Sequence, residues 1–562
     1  MIDFVKLGRA IAGSVVAILT ASLTAACAQL PTSGLVQQGT DLSAGIASDY
    51  LYYSPSGPTA GATQTEIIRG FLNAGTAPQN DFSTAREFLS ENFKAKWDPS
   101  GATLVQRGQL KIDSQSEVQI TVSVGVQSQV DSDGQFSYWP AGYSRLLDFS
   151  LVREGNQWRI DSAPNLIVVI QPVFDVIFSP YSLYFYDNAF EHLVPDVRWF
   201  PSRASTTTLI VNAVLNGPAD WLSAGVQSAI PLGTKLSFDS VAVEGGVAKI
   251  DLSSSALSAT PAERRLMKNQ LVATLGQIPG VSDVQILVER TPQDIVDLPP
   301  LDAVKNNETP IGLANNELRH VGGSKAQVRN STYSLGKVVP SGFAINTDES
   351  TLALKSRDGI WLAQLDSIGQ AINLIDARPG LLNPVFDSSG ILWSTGASSK
   401  SALFTYAKNG RARQIDAPWL SDIKRKQIAI SPEGSRLAVL ESRKSGNVLW
   451  VSVISHSANG EAISLGNPIE LPTNSGSVIS FAWANETKIA VLTSETRATV
   501  PKLLQVGGLS RTLPVVADAE EIVASSMGDS IYLRTKNGDV FQLRGNNWSL
   551  VATDQDSIQF AG

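Results

Sequence analysis

Among 562 residues there is one thiol, Cys27, and there are three imidazoles, His192, His320 and His456. The histidines stand far apart in the chain, with no His-x-x-x-His pair that would set two metal ligands on one helical face. Each reads as a surface or internally satisfied histidine. No Gly-x-Ser-x-Gly elbow offers a nucleophile. Asp387, Glu433 and Asp529 fall in Gly/Ser/Pro-rich turns, where turn chemistry explains them better than acid–base work does. A glycosidase carboxylate pair follows no sequence spacing and stays open. The residue types thus imply no catalytic group, no metal and no cofactor, and leave one position with a sharp chemical role.

That position is Cys27. Lys6 and Arg9 precede an apolar run from Ile11 to Leu23, shorter than the ~20 residues needed to span a bilayer and suited to a signal-peptide core. Small residues and the cysteine follow, Leu23-Thr24-Ala25-Ala26-Cys27. The pattern resembles a bacterial lipobox, with Thr24 where Leu is usual. A single cysteine cannot form an internal disulfide, and in an oxidising compartment an unmodified thiol is a liability. One acyl chain holds a membrane only marginally, at about 0.8 kcal/mol per buried CH2, so stable anchoring takes more than one. The resemblance implies an N-palmitoyl, S-diacylglycerol cysteine that anchors the chain on the extracytoplasmic face of the cell membrane.

The elements beyond the anchor are those of folded domains. Charged residues are 17% and apolar ones 43%, which suits folded globular domains better than a disordered stalk. Net charge is −8, and the densest basic cluster, Lys424-Arg425-Lys426, reads as a solvated loop, so nucleic acid is disfavoured as a partner. Residues 1–26 read as the signal peptide and 27–62, rich in Gly, Ser, Pro and Thr, as a flexible tether. Over 63–165 helical spacing (Ile67, Ile68, Phe71, Leu72; then Ala85, Phe88, Leu89, Phe93 after Ser83) gives way to period-two strands such as Val118–Val126, an α+β domain. The ending Val152–Ile160, turning at Gly155-Asn156, resembles the last hairpin of NTF2-like domains. Residues 166–204, dense in aromatics, read as connecting strands. A second α+β unit covers 205–292: a helix from Thr206 ending at Asn216-Gly217-Pro218, a hairpin at Gly245-Gly246, and a capping box at Thr260-Pro261-Ala262-Glu263. Polar residues 293–330 read as a linker.

Residues 331–562 repeat a turn, a strand, a second turn and a strand. The anchors Leu352, Leu392, Leu437, Ile489 and Ile531 are 40, 45, 52 and 42 residues apart. A period of about 40–50 with short strands is the signature of β-propeller blades. Five blades are visible, and the flanks have room for a sixth.

Together these pieces resemble a family. The lipobox with Leu30–Gly34, the segments Leu183–Tyr186 and Leu193–Trp199, and the unit 205–292 look like the actinobacterial lipoprotein LpqB family. The central unit resembles the GerMN domain through Leu215–Pro218, Ile230–Thr234, Val247–Ser253 and Val272–Leu275. The implied fold is multidomain: an α+β N-terminal domain, an α+β GerMN domain and an all-β C-terminal propeller. The resemblance implies a non-enzymatic accessory lipoprotein, its partner the ectodomain of an MtrB-like sensor histidine kinase of an MtrAB-type two-component system. Through it the protein would affect envelope homeostasis and division. A cell-wall glycan or peptidoglycan ligand is the second reading, motivated by six tryptophans in the propeller third (Trp361, Trp393, Trp419, Trp450, Trp483, Trp548). An envelope hydrolase is the third.

Overall fold

A computed structural model describes residues 55–562 except 79–80, 204, 300–308, 316, 322–337, 366–371, 474 and 526–529. Cys27, the signal peptide, most of the tether and Asp529 lie outside the described residues.

The first domain opens on α1 (Gln64–Ala74), which starts where Thr63 can cap it. The Thr63 hydroxyl accepts from Glu66 N, and the Glu66 carboxylate accepts from Thr63 N at 2.7 Å. Ile67, Ile68, Phe71 and Leu72 turn inward, each contributing about 1.5–3 kcal/mol by leaving water. The helix expected from Ser83 is shorter than its apolar spacing suggests. It covers only Ser83–Arg86 (α2), because Arg86 donates to the carbonyls of Lys94 and Trp97 and Ser90 N bonds Ile160 O at 2.8 Å. Phe88 and Leu89 are still buried, now against the sheet.

That sheet holds β1 (Ala102–Gln106), β2 (Lys111–Ser114), β3 (Gln119–Asp131), β4 (Phe136–Tyr138), β5 (Ser144–Glu154), β6 (Gln157–Ser162) and β7 (Ile167–Ile170), in the order β6-β5-β3-β1-β7 with β2 and β4 also on β3. The long β3 changes partners near Gly125, pairing β5 over 119–125 and β1 and β4 beyond. A Cβ at Gly125 would lie 2.6 Å from Arg107 O, so the approach there requires glycine.

The second domain begins earlier than its GerMN-like motifs suggest. After α3 (Gln171–Ile177), β8 (Phe178–Asp187) and β9 (Leu193–Pro201) form a hairpin, and β10 (Val226–Gln227) joins β8. The residues expected to be connecting strands are core: Leu183, Phe185, Tyr186, Val194 and Phe200 share one apolar cluster with α4 (Thr206–Asn216) and α5 (Pro261–Leu275). β11 (Ala242–Glu244) and β12 (Val247–Leu252) meet at Gly245-Gly246, both at positive φ, as a tight hairpin requires. β13 (Asp283–Val288) lies parallel to β12, joined to it through α5, and β14 (Thr291–Pro292) closes the sheet. Thr260 and Glu263 form the anticipated capping box.

The rest is a propeller of six sheets among the described residues. Blades one to five cover 342–376, 385–415, 425–471, 477–512 and 519–552. All five repeat anchors fall on the second strand of a blade and are buried. The sixth sheet is composite. Ile311–Ala314 and Glu317–His320, inside the stretch expected to be linker, pair with each other, and Ile311–Ala314 also pairs with Ser557–Gln559. The innermost strands touch in ring order, and Ser557–Gln559 touches the first and the fifth. Blade count was hidden because the sixth blade takes its strands from two places in the chain.

Candidate binding surfaces at the domain junction

Three residues of β9, Asp196, Arg198 and Trp199, tie the domains together. Asp196 and Arg198 form an ion pair at 2.7 Å, both almost wholly buried, and the same Asp196 oxygen accepts from Ala219 N at 2.8 Å. Arg198 also donates to Asp133 O of the first domain at 2.9 Å. A buried charge keeps its place only when paired and hydrogen-bonded, as these are. Trp199 lies 5.7 Å from the Phe136 ring and 5.2 Å from Phe174, and its indole N–H donates to Gly507 O of the fourth blade at 3.0 Å. The segment Leu193–Trp199 is therefore the place where all three domains meet. From sequence it was visible only as a segment that carries a family resemblance.

Further ties fix the propeller. Val453 of the third blade belongs to the second domain's apolar cluster, Trp221 packs against both, and Asn188 Nδ2 donates to Ser455 Oγ at 3.2 Å. Tyr184 Oη lies 3.5 Å from Glu486 Oε2. Burial pushes the Tyr184 phenol up to about 12, and burial, reinforced by Glu433, also raises the Glu486 carboxyl.

Three concave surfaces result. A groove of about 640 Å3 runs where the domains meet, with Trp139, Trp221, Asp196 and Gln505 in its walls. The propeller channel, about 500 Å3, is lined by the inner-strand residues Gln427, Ser480 and Glu521 and by Arg534 from the second strand of blade five. Arg534 Nε meets Glu521 Oε2 at 2.7 Å, and burial raises that carboxyl. A cleft of about 360 Å3 separates the β8–β9 turn from blades two and three.

That cleft corrects one expectation. Isolated in sequence, His192 and His456 come together there, beside Asp187, Asp387 and Glu433. Burial holds the His456 imidazole below its ordinary range. No spacing could have signalled this, because the partners come from different domains. Asp387 does serve its turn, accepting from Ser389 N, Ile391 N and the Trp393 indole. His320 stands apart, 3.4 Å from Glu349, whose hydrogen bond raises its pKa.

Arg425 is a second correction. It is not solvated: it begins the inner strand of blade three, is 1% exposed, and donates to the carbonyls of Gly396, Leu420, Ser398 and Ser401. Burial lowers its pKa to about 10. The six propeller tryptophans all pack into apolar clusters, and five bond their indole N–H internally: Trp361 to Ser356, Trp393 to Asp387, Trp450 to Glu441, Trp483 to Ala429, Trp548 to Pro514.

Three unlike domains locked about one tryptophan, with a groove and a cleft at their seams, define a multidomain propeller protein. Each part has a matching family model: the lipoprotein LpqB N-terminal domain over 57–175, the sporulation and spore germination (Germane) domain over 182–294, and the LpqB β-propeller domain over 317–558. The chain belongs to the lipoprotein LpqB family. It is 23% identical to lipoprotein LpqB of Cutibacterium acnes over 93% of each chain, and 24% identical to that of Streptomyces avermitilis over 96% of this chain and 97% of the relative. It is also similar to the first GerMN domain of the sporulation protein GerM from Bacillus subtilis, with 19% identity, coverage of 22% of this chain and 94% of that one, and a TM-score of 0.19. Among the described residues, no helix is long and apolar enough to cross a membrane.

Proposed function

We propose that this is an extracytoplasmic accessory lipoprotein, anchored through acylated Cys27, that binds the ectodomain of an MtrB-like sensor histidine kinase and tunes it. Family membership supports the lipoprotein part, and the Trp199 junction carries the binding part. Three domains fixed in one body present surfaces that no single domain owns, which suits recognition of a large partner better than turnover of a small substrate. We read the cleft carboxylates as structural rather than catalytic, since Asp387 accepts three N–H bonds and Glu433 is ion-paired with Arg436 at 2.7 Å. The test is kinase autophosphorylation in membranes with and without the protein. Unchanged activity together with no co-purification of kinase defeats the proposal.

A second reading, glycan binding, draws on the junction groove, where Trp139 and Trp221 supply aromatic surface. The blade tryptophans, already used internally, do not support it. Failure of purified cell wall to retain the protein counts against it.

A further inference from the structure

We propose that the cleft between the β8–β9 turn and blades two and three binds a ligand through a primary ammonium group. The case starts from two buried polar atoms without partners. Glu433 is 5% exposed; its Oε1 accepts from Ser431 Oγ at 2.5 Å and from Arg436 Nε at 2.7 Å, while its Oε2 is buried and bonded to nothing. His456 Nδ1 is likewise buried and unpartnered. Both residues line this one cleft. Such atoms cost about 1–3 kcal/mol each, and native proteins keep few of them without a purpose.

The missing partner must donate. A carboxylate oxygen only accepts, and a neutral imidazole can present a lone pair. An ammonium brings three N–H donors and a positive charge. The setting favours that charge: Asp187, Glu191, Asp387 and Glu461 line the same cleft, and Glu191 reaches across it to within 2.8 Å of where a Gly460 Cβ would stand. The opposing cations are Arg411, Arg413 and Arg436; Arg413 is paired with Glu461 and Arg436 with Glu433. A metal ion is the poorer fit, since among the described residues no three His, Cys, Asp or Glu groups are arranged to hold one. The volume lies at the small end of ligand pockets.

The ligand would bridge two domains. This proposal does not depend on kinase binding and can fail separately from it. The test is calorimetric titration of the full-length protein in detergent with cadaverine, with 1,5-pentanediol as the uncharged control and zinc chloride in a separate run. The expected result is one saturable cadaverine site and no response to the diol. Glu433→Gln removes a charge-assisted bond, so affinity should fall about 10–100-fold. Should that variant fail to fold, Glu191→Gln and Glu461→Gln at exposed positions must each weaken binding measurably. Absence of cadaverine binding, equal response to the diol, undiminished affinity in the folded variants, or a zinc site in place of the amine site overturns the proposal.

Discussion

The indole of Trp199 in the second domain donates its N–H to the carbonyl of Gly507 in the fourth propeller blade at 3.0 Å, while the same ring packs on Phe136 of the first domain. Gly507 sits at φ +77°, and a Cβ there would come 3.1 Å from Val197 O. Donor and acceptor are thus held by the residues next to them.

Replacing Trp199 with Phe keeps much of the ring and deletes the bond, leaving Gly507 O unpaired. The expected cost is about 1–3 kcal/mol. Gly507→Ala should destabilise as well, because its positive φ strains any L side chain. Equilibrium urea unfolding reads both, and a variant with the wild-type midpoint shows that the contact does not hold the domains.

Arg425→Lys retains charge but cannot reach four carbonyls from a single ammonium. A loss of about 2–4 kcal/mol is expected, on the scale of other disrupted buried charged networks. Thermal melting checks it. Lys424→Ala, next to it and exposed, should melt like wild type.

Burial depresses the His456 imidazole below the ordinary histidine value of 6.5. Between the lowered value and 6.5 the unfolded chain takes up a proton that the folded chain refuses. The stability tied to this group is therefore complete above pH 6.5 and lost as pH falls through the lowered value. His320 runs the other way: its pairing with Glu349 contributes below 6.5 and fades as pH rises. His456→Gln should reduce the drop in urea midpoint between pH 7.5 and pH 5.5, and an unchanged drop rules His456 out as its source.

Removing residues 557–562 takes away the strand that pairs with Ile311–Ala314, along with the Gly562 N bond to Ile345 O at 2.9 Å. The ring then has an open seam. Limited proteolysis should cut within the strands Ile311–Ala314 or Gly342–Ile345 in the truncated protein and spare both in the intact one.

Cys27→Ala should leave the domains folded and move the protein from the membrane to the soluble fraction. Circular dichroism and fractionation read the two halves of that statement separately. A variant that stays membrane-bound shows that the lipid is not the anchor.

Local order was readable wherever local chemistry decides it. The capping box at Thr260–Glu263, the hairpin at Gly245-Gly246 and the five blade anchors each depend on residues within one element or one turn. Other features depended on distant chain. Arg425 looked like part of a solvated basic run because the loop 396–401 that buries it lies about 25 residues away. The strands at 311–320 looked like linker because their partner is near residue 558. Likewise His192 and His456 meet only because the propeller docks on a particular face of the second domain.

The pairing of 311–314 with 557–559 also sets a schedule. Some 245 residues separate the two strands. At roughly 5–20 residues per second of synthesis, the first strand waits about 12–50 s for its mate. During that interval Ile311–Ala314 keeps one edge unpaired, and strand edges of this kind are templates for aggregation. The chain most in need of an escort is therefore the nearly finished one, five blades built and the last strand still to come.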